Sequence, residues 1–286
     1  MGRFIPVKYG RCSYPQHIIP QLAEIPANFD SKPIIYDGPF SLHTEFSFAH
    51  RKFSSSALDG LETVKSSHRS SIPRLWASEA WANEFARFVI AECNGHTPTV
   101  VEVHPPFDDY ATLESFLERY SVFEHSLLDC YPEVTPLIEN RSGTLYRGGG
   151  FVLSTADQLI RFSELLDNSP SVIKITLDIP QLFTAHSART RDIVPLLETM
   201  RSIRHNISGI HLWGKRKNAS GRRIAHVGDL NDYFYGKQES KELFLSELSR
   251  LLDDDIPRYL VPEVNSGQAD FTSIIDDLIA SGFVFC

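Results

Sequence analysis

The sequence predicts a single domain over residues 1–286, an α/β protein with the (β/α)₈ barrel architecture. Two observations support this prediction. From about residue 76 onward, short apolar runs alternate with stretches of helical periodicity, which is typical of parallel strands joined by right-handed helical crossovers. In addition, six apolar runs end in a His, Asp or Glu side chain that could ligate a metal, as expected where the carboxyl ends of barrel strands meet at one face. Length alone would equally allow two ordinary domains.

The first 45 residues must supply about three strands if the barrel is to close. Apolar runs place them at Phe4–Tyr9, Leu22–Pro26 and Phe40–Phe46. Proline-rich connections stand between these runs instead of full helices, so the first two βα units are predicted to be abbreviated. The long Ser-rich segment Ala49–Pro73 follows, and its length is typical of a functional or disordered loop.

The remaining elements follow from hydrophobic periodicity and helix-start signals. The predicted helices are Trp76–Cys93, Ala111–Asp129, a segment from the capping-box-like Ser154–Asp157 to Leu166, Thr190–Arg204, Ser240–Leu252 and Phe271–Ala280. The predicted strands between them are Thr99–His104, Pro136–Glu139, Val172–Asp178, Ile207–Leu212 and Arg258–Glu263. A Gly-rich loop at 147–150 and a basic loop at Gly214–Arg223 are the other irregular segments of note.

Charge and cysteine content limit the classes of function. The formal net charge of −8 argues against a generic nucleic-acid coat or a binder of anionic membranes, although a local basic groove remains compatible with it. The four cysteines are scattered without metal-binding spacing, which is typical of reduced thiols. The sequence starts without a long apolar leader and contains no run of membrane-spanning length. We therefore expect a cytoplasmic protein that does not associate with membranes.

The six apolar runs that end in His, Asp or Glu predict a metal centre. Their last side chains are His43, His104, Glu139, Asp178, His211 and Glu263. Three imidazoles and three carboxylates at one barrel face form a ligand set for one or two divalent ions, with Zn²⁺, Mn²⁺ or Fe²⁺ all suited to mixed ligands. Each residue by itself is explained as well by a polar boundary position. A buried polar network would explain the whole set, but burying three carboxylates without a cation is costly.

The order of these residues resembles a known family. The phrases Val-His104-Pro, Ile-Glu139-Asn-Arg-Ser-Gly, Leu-Asp178, His211-Leu and Val-Pro-Glu263 are similar to the endonuclease IV-like branch of the xylose isomerase-like TIM barrel superfamily, over about residues 40–280. The resemblance implies a core metal site of Glu139, Asp178, His211 and Glu263. It also implies a second metal held by His43 and His104 and sharing Glu139, about 3.5–4 Å from the first. A metal-bound hydroxide would then attack a phosphodiester.

The chain departs from the endonuclease pattern at two places. Gln181 stands where endonuclease IV has a His three residues after the strand Asp, and Arg222-Arg-Ile224 stands in place of an Asp-x-His sequence. The third metal site of that enzyme is therefore predicted to be lost, which puts abasic-site cleavage and a role in DNA repair in question. His226-Val-Gly-Asp229 resembles a turn of the sugar isomerases in the superfamily, and His186 is a further candidate.

Three functional hypotheses follow, and the first two use Glu139 and Glu263 as catalytic carboxylates. The first is a metal-dependent phosphodiesterase or nuclease, acting on DNA or on a smaller phosphorylated substrate. The second is a metal-dependent sugar or sugar-phosphate isomerase or epimerase that uses the two carboxylates as an acid–base pair. The third is a metal-dependent binding protein without turnover. The residues predicted to bind substrate or phosphate are Arg141, Lys215, Arg216 and His226, with Lys217, Arg222 and Arg223 beside them in the basic loop.

Overall fold

The computed structural model describes residues 2–46, 58–67, 72–143 and 149–286. The strands in these residues are β1 Arg3–Lys8, β2 Leu22–Ala27, β3 Phe40–Thr44, β4 Val100–Val103, β5 Thr135–Glu139, β6 Lys174–Asp178, β7 Ile207–Leu212, β8 Lys215–Lys217, β9 Arg223–Ala225, β10 Pro257–Pro262 and β11 Val284–Phe285. Strands β1 to β7 and β10 pair in parallel in chain order, and β10 pairs back onto β1. The predicted (β/α)₈ barrel is confirmed.

The helices pack around the outside of this barrel. They are α1 Glu62–Ser66, α2 Glu79–Glu92, α3 Leu113–Cys130, α4 Ala156–Asp167, α5 Ile179–Ala185, α6 Ile193–Met200, α7 Leu230–Tyr233, α8 Gln238–Leu251 and α9 Gln268–Ala280. No helix separates β1 from β2 or β2 from β3, so the abbreviated first two units are confirmed, and the apolar Ile19 and Ile35 lie exposed in those connections. Within the described ranges, no helix combines the length and the apolar character that crossing a membrane requires.

Several local features differ from the prediction. The capping box of α4 lies one residue later than predicted, because Thr155 and Gln158 bond each other's backbone amides. Short 3₁₀ turns at Thr190–Asp192 and Arg201–Asn206 flank α6 where one long helix was predicted. The basic loop is the antiparallel hairpin β8–β9. Of the segments predicted as loops, 49–57 and 68–71 in the long one and 147–148 in the Gly-rich one lie outside the described residues.

Inside the barrel, an apolar layer lies toward the amino ends of the strands and a polar layer toward their carboxyl ends. Five buried apolar side chains form a layer inside the barrel, one from each of five strands. In each case the residue two positions later, on the strand or just beyond its end, is polar. Successive side chains of a strand alternate between its two faces, so residues i and i+2 point to the same side. The pairs are Val7 and Tyr9, Leu22 and Glu24, Val100 and Glu102, Leu137 and Glu139, and Val261 and Glu263. The apolar layer therefore supports a polar layer at the carboxyl ends of the strands.

One glycine makes room for a polar contact inside this layer. A Cβ atom at Gly209 would lie 2.4 Å from Oγ1 of Thr176 on the neighbouring strand β6. That hydroxyl donates a hydrogen bond to Glu102 across the barrel interior. A larger residue at 209 would push Thr176 away from Glu102.

We therefore expect Gly209→Ala to lower the free energy of unfolding by about 1–3 kcal/mol, the usual cost of overpacking a core. Urea unfolding of the single variant, of Thr176→Ala and of the double variant gives the measurement. Because Thr176→Ala removes the clashing oxygen, the double variant should lose less stability than the two single changes added together. Simple additivity would contradict the steric explanation.

Candidate metal centre

The barrel brings all six predicted ligands to one face. They form two groups in which the potential ligand atoms lie within 4.8 Å of one another. The first group contains His43, His104 and Glu139, and the second contains Asp178, His211 and Glu263. Each residue lies at the last position of its barrel strand or one or two positions from it, which explains why distant parts of the chain meet here.

In the first group, two imidazoles and a carboxylate converge. Nε2 of His43 lies 2.9 Å from Nε2 of His104, and Oε2 of Glu139 lies 3.6 Å and 3.1 Å from these two nitrogens. Nδ1 of His104 lies 3.2 Å from the carbonyl oxygen of Glu45, so both ring nitrogens face oxygens that can only accept. Burial lowers the pKa of His104 to about 4, and the neutral ring can donate to only one of these two oxygens. A positive charge beside Nε2 would balance the Glu139 carboxylate.

His43 is held in the same manner and can supply that charge only through a proton. Its Nδ1 lies 3.0 Å from Oε1 of Glu24, so Nε2 is the nitrogen directed at the group. Burial by itself would lower the pKa of His43, but Glu24, Glu102 and Glu139 outweigh it and raise the pKa to about 10. A divalent ion would replace this proton, and the donor set of two imidazoles and one carboxylate suits a zinc-like ion.

The second group contains an imidazole nitrogen without a hydrogen bond. Nδ1 of His211 is buried and lies 3.6 Å from Oε2 of Glu263 and 3.7 Å from Oε2 of Glu139. Asp178 completes the group, and its carboxylate accepts hydrogen bonds of 2.8 Å from Nε1 of Trp213 and from the backbone amide of Gln181. Because Oε2 of Glu139 faces both groups, this oxygen is placed to be shared between two ions.

Two interior carboxylates were not predicted from the sequence. Glu24 contacts Nδ1 of His43, and Oε1 of Glu102 lies 3.4 Å from Nε2 of His211. In each histidine this is the ring nitrogen that points away from the ligand group. Carboxylates in this position fix the orientation of metal-ligating histidines. The spacing Glu102-Val-His104 contained the signal, since residues two apart on a strand share a face. The sequence pattern predicted only His104 as a ligand.

Of the three remaining candidates, His226 lies at the site, whereas Asp229 and His186 make structural hydrogen bonds elsewhere. His226 stacks on Trp213 with ring centroids 4.4 Å apart, and its Nδ1 lies 3.4 Å from Oε2 of Glu263, so it belongs to the site. Asp229 caps α7 by accepting from the amide of Asp232. His186 accepts from the backbone amide at 156. Neither of the last two contacts the metal-ligand groups.

Gln181 and Arg141 hold the outer oxygen of Glu139. The amide of Gln181 donates to Oε1, and a guanidinium nitrogen of Arg141 lies 3.6 Å from the same atom. Burial raises the pKa of Glu139, but His104, His211 and Arg141 outweigh it, and the pKa is lowered overall. The carboxylate is thus ionised and its other oxygen, Oε2, remains directed at the two groups.

A cavity of about 660 Å³ opens above the ligands. Its lining includes the predicted phosphate ligands Arg141, Lys215 and His226, together with Arg222 and Arg223. The structure does not bring Arg216 to this cavity. Side chains alternate along β8, so Arg216 points away from the face of Lys215, and its guanidinium contacts Asp232 at 2.6 Å and Asp270 at 2.7 Å. Arg216 stabilises the hairpin instead of facing a ligand.

The crowding of carboxylates predicts a pH dependence for the metal-free protein. Burial raises the pKa of Glu102 to about 7, although His211 and His43 oppose the shift. The native state therefore binds more protons than the unfolded state between about pH 4.5 and pH 7. Stability falls as the pH rises through this window, by on the order of 2–3 kcal/mol from this group.

We expect Glu102→Gln to reduce this loss of stability between pH 5 and pH 7.5, measured by urea unfolding with a chelator present. Glu118→Gln, which changes an exposed carboxylate of α3, is the matched control and should retain the wild-type slope. An unchanged slope in Glu102→Gln would show that Glu102 is ionised throughout this range.

The comparisons with known proteins bear on the fold. No protein-family model and no curated protein matches the chain. The AP endonuclease, family 2, from Brucella melitensis aligns with a TM-score of 0.51 at 10% identity, over 94% of this chain and 96% of that one. The crystal structure of AsfvAP:AG aligns with a TM-score of 0.51 at 13% identity, over 84% and 85%. A xylose isomerase domain protein from Alicyclobacillus acidocaldarius gives 0.42 at 13%, over 85% and 78%. At these identities the likeness is one of fold, and the predicted barrel is shared with the AP endonuclease, family 2, and with AsfvAP:AG.

Proposed function

We propose that this protein is a metal-dependent hydrolase of phosphodiesters. The observation that supports this most directly is the position of Oε2 of Glu139 between two ligand groups, below a cavity with several cationic side chains. Two ions close together stabilise the attacking and leaving oxygens of a phosphodiester, whereas guanidinium and ammonium groups bind its non-bridging oxygens. A phosphorylated substrate, with DNA as one example, matches both features.

In this proposal the ions are held by His43, His104 and Glu139 and by Asp178, His211 and Glu263, with Glu139 shared. Bound zinc, manganese or iron would supply Lewis-acid charge and a nucleophile at neutral pH. The remaining residues act on the substrate and on the ligands.

The cationic side chains orient the phosphate, and two carboxylates border the reacting atoms. Arg141, Lys215 and Arg222 line the cavity, so they would bind the phosphate there. Burial would raise the pKa of Glu263, but His211 and His226 lower it to about 2, so this side chain is ionised at neutral pH. Glu263 would therefore act as an anionic ligand, and its low pKa makes it a weak proton acceptor at neutral pH. Glu139 is ionised as well, and its second role is to hold both groups together.

The metal assignment leads to the first test. We expect Asp178→Ala and His211→Ala each to lower the bound transition metal at least about tenfold, since each removes a ligand from a small buried set. Elemental analysis of dialysed protein gives the measurement. His125→Ala, which changes an exposed histidine of α3, is the matched control. Wild-type metal content in both site variants would refute the assignment.

The second test separates hydrolase from isomerase through His104. If His104 helps to bind a second ion, His104→Ala should leave one metal per chain and abolish cleavage of intact, abasic or single-stranded DNA. If the protein is a sugar isomerase, the same change should leave the metal content as it is and weaken sugar binding. Metal analysis, nuclease assays and proton exchange into a ketose together distinguish the two outcomes. A wild-type protein with one metal, no nuclease activity and ketose exchange would favour the isomerase.

A further inference from the structure

A second cavity of about 510 Å³ lies beside the one above the metal ligands. The two cavities share Thr184, Lys215 and Arg223 in their linings. The second is bordered by the end of α5, the segment after α7 and the start of α8. Four cationic side chains line it, and no Asp or Glu is among its lining residues. The four are Arg189, Lys215, Arg223 and Lys237. In a chain whose formal net charge is −8, this composition indicates a site for an anion.

The cations at the junction have no acidic partner. Among the residues that the structure describes, neither Lys215 nor Arg223 has a carboxylate within 4.0 Å, whereas Arg216 in the same hairpin contacts two. Nη2 of Arg223 donates to the backbone carbonyls of Asp232 and Tyr233 at 3.0 Å and 3.1 Å, and its Nε is buried without a hydrogen bond. These contacts fix the guanidinium and leave its charge uncompensated.

The same pair is electrostatically unfavourable without a ligand. Burial lowers the pKa of Lys215, and the neighbouring guanidinium of Arg223 lowers it further. Holding two half-buried cations side by side costs free energy, and an anion between them would recover it. In the hairpin, Arg216 is thus neutralised by aspartates, whereas Lys215 and Arg223 can bind an anion.

Beside these cations the second cavity offers surfaces for a planar group. The ring of Tyr235 lies under the guanidinium of Arg223, 3.7 Å from its central carbon to the ring centroid, and the Tyr235 residue is 67% exposed. Its backbone has a φ of 58°, a conformation that costs energy for a non-glycine residue and is often found at binding sites. Buried Phe183 and Phe234 form part of the floor, and the hydroxyls of Thr190 and Ser240 border it.

We propose that the second cavity binds the nucleotide adjacent to the phosphodiester held in the first cavity. Lys215 and Arg223 would bind the phosphate that links the two positions, and Tyr235 would stack on the base. Stacking on an aromatic side chain tolerates every base, so this site would select nucleotides as a class. The inference rests on the proposed hydrolase function and extends it, because it assigns an oligonucleotide as the substrate in preference to a phosphorylated sugar.

The test measures binding to the metal-free protein by calorimetry. In the absence of metal ions the carboxylates of the first cavity repel phosphate, so binding in the second cavity dominates the measured heat. The probes are a 5′-phosphorylated thymidine dinucleotide and ribose 5-phosphate. We expect the dinucleotide to bind more tightly, and its Kd to rise about five- to tenfold in Lys215→Gln and in Tyr235→Ala. Lys237→Gln should also weaken binding, and it provides a second variant at an exposed position.

Lys217→Gln is the matched control, since Lys217 belongs to the same hairpin, is exposed and lines neither cavity. It should leave the Kd unchanged. Equal affinity for ribose 5-phosphate, with no effect of Tyr235→Ala, would overturn the assignment of a nucleotide. Equal losses in Lys215→Gln and Lys217→Gln would overturn the assignment of the cavity, because a diffuse surface charge would then explain the binding.

The outcome for the proposed function is read separately, from hydrolysis of the dinucleotide by the metal-loaded protein. Binding that depends on Lys215 without hydrolysis under any divalent metal would retain the second cavity and refute the hydrolase. Hydrolysis that is insensitive to Lys215→Gln and Tyr235→Ala would retain the hydrolase and refute the second cavity.

Discussion

Five carboxylates share the upper half of a closed barrel, and the arrangement of this face depends on how their charge is balanced. They are Glu24, Glu102, Glu139, Asp178 and Glu263, each from a different strand or the residue after it. An unpaired buried charge costs several kcal/mol, so each carboxylate must have a hydrogen-bond donor or a cation nearby. In the metal-free protein, protons on the histidines provide part of this balance, since nearby carboxylates raise the pKa of both His43 and His211 against the effect of burial.

The same requirement explains residues that have no direct part in metal binding. Trp213 donates to Asp178, Gln181 donates to Glu139, and Thr176 donates to Glu102. In Glu102 and Glu139 the donor occupies one carboxylate oxygen and leaves the other directed at an imidazole, whereas both oxygens of Asp178 accept hydrogen bonds. The candidate site therefore has a definite geometry in the metal-free protein, and hydrogen bonds of this kind orient the ligands of metal sites. Gln181 is a neutral donor, and it holds the carboxylate whose other oxygen faces both ligand groups.

The hairpin β8–β9 extends this charge pattern outward. One residue, Gly214, separates it from Trp213, and Gly214 lies so close to the backbone of Gly228 that a Cβ there would be 2.2 Å from a carbonyl carbon. This contact holds the hairpin over the barrel mouth. Within it, Arg216 is paired with aspartates, whereas Lys215 and Arg223 face the cavities. A protein with net negative charge thus presents positive charge next to its acidic interior.

The sequence by itself predicted the barrel and the six candidate ligands that the structure brings to one face. Buried parallel strands are short apolar runs, and a polar residue that ends such a run must emerge at the carboxyl face, so local pattern sufficed for His43, Glu139 and Asp178. Glu24 and Glu102 were missed because a lone acidic residue within a strand has the same local pattern whether it faces the interior or the helices. Only strand register and closure of the barrel place Glu24 beside His43 and Glu102 beside His211.

The tertiary structure likewise decided between neighbouring basic residues. Lys215 and Arg216 are adjacent in a basic run, and nothing in the run distinguishes a ligand-binding side chain from a structural one. The β8–β9 pairing turns Lys215 toward the cavities and Arg216 toward Asp232 and Asp270, the latter 54 positions away in the sequence. Partners this distant are fixed by the closed fold and not by local preference, which is why the chemistry of single positions could be predicted and their pairing could not.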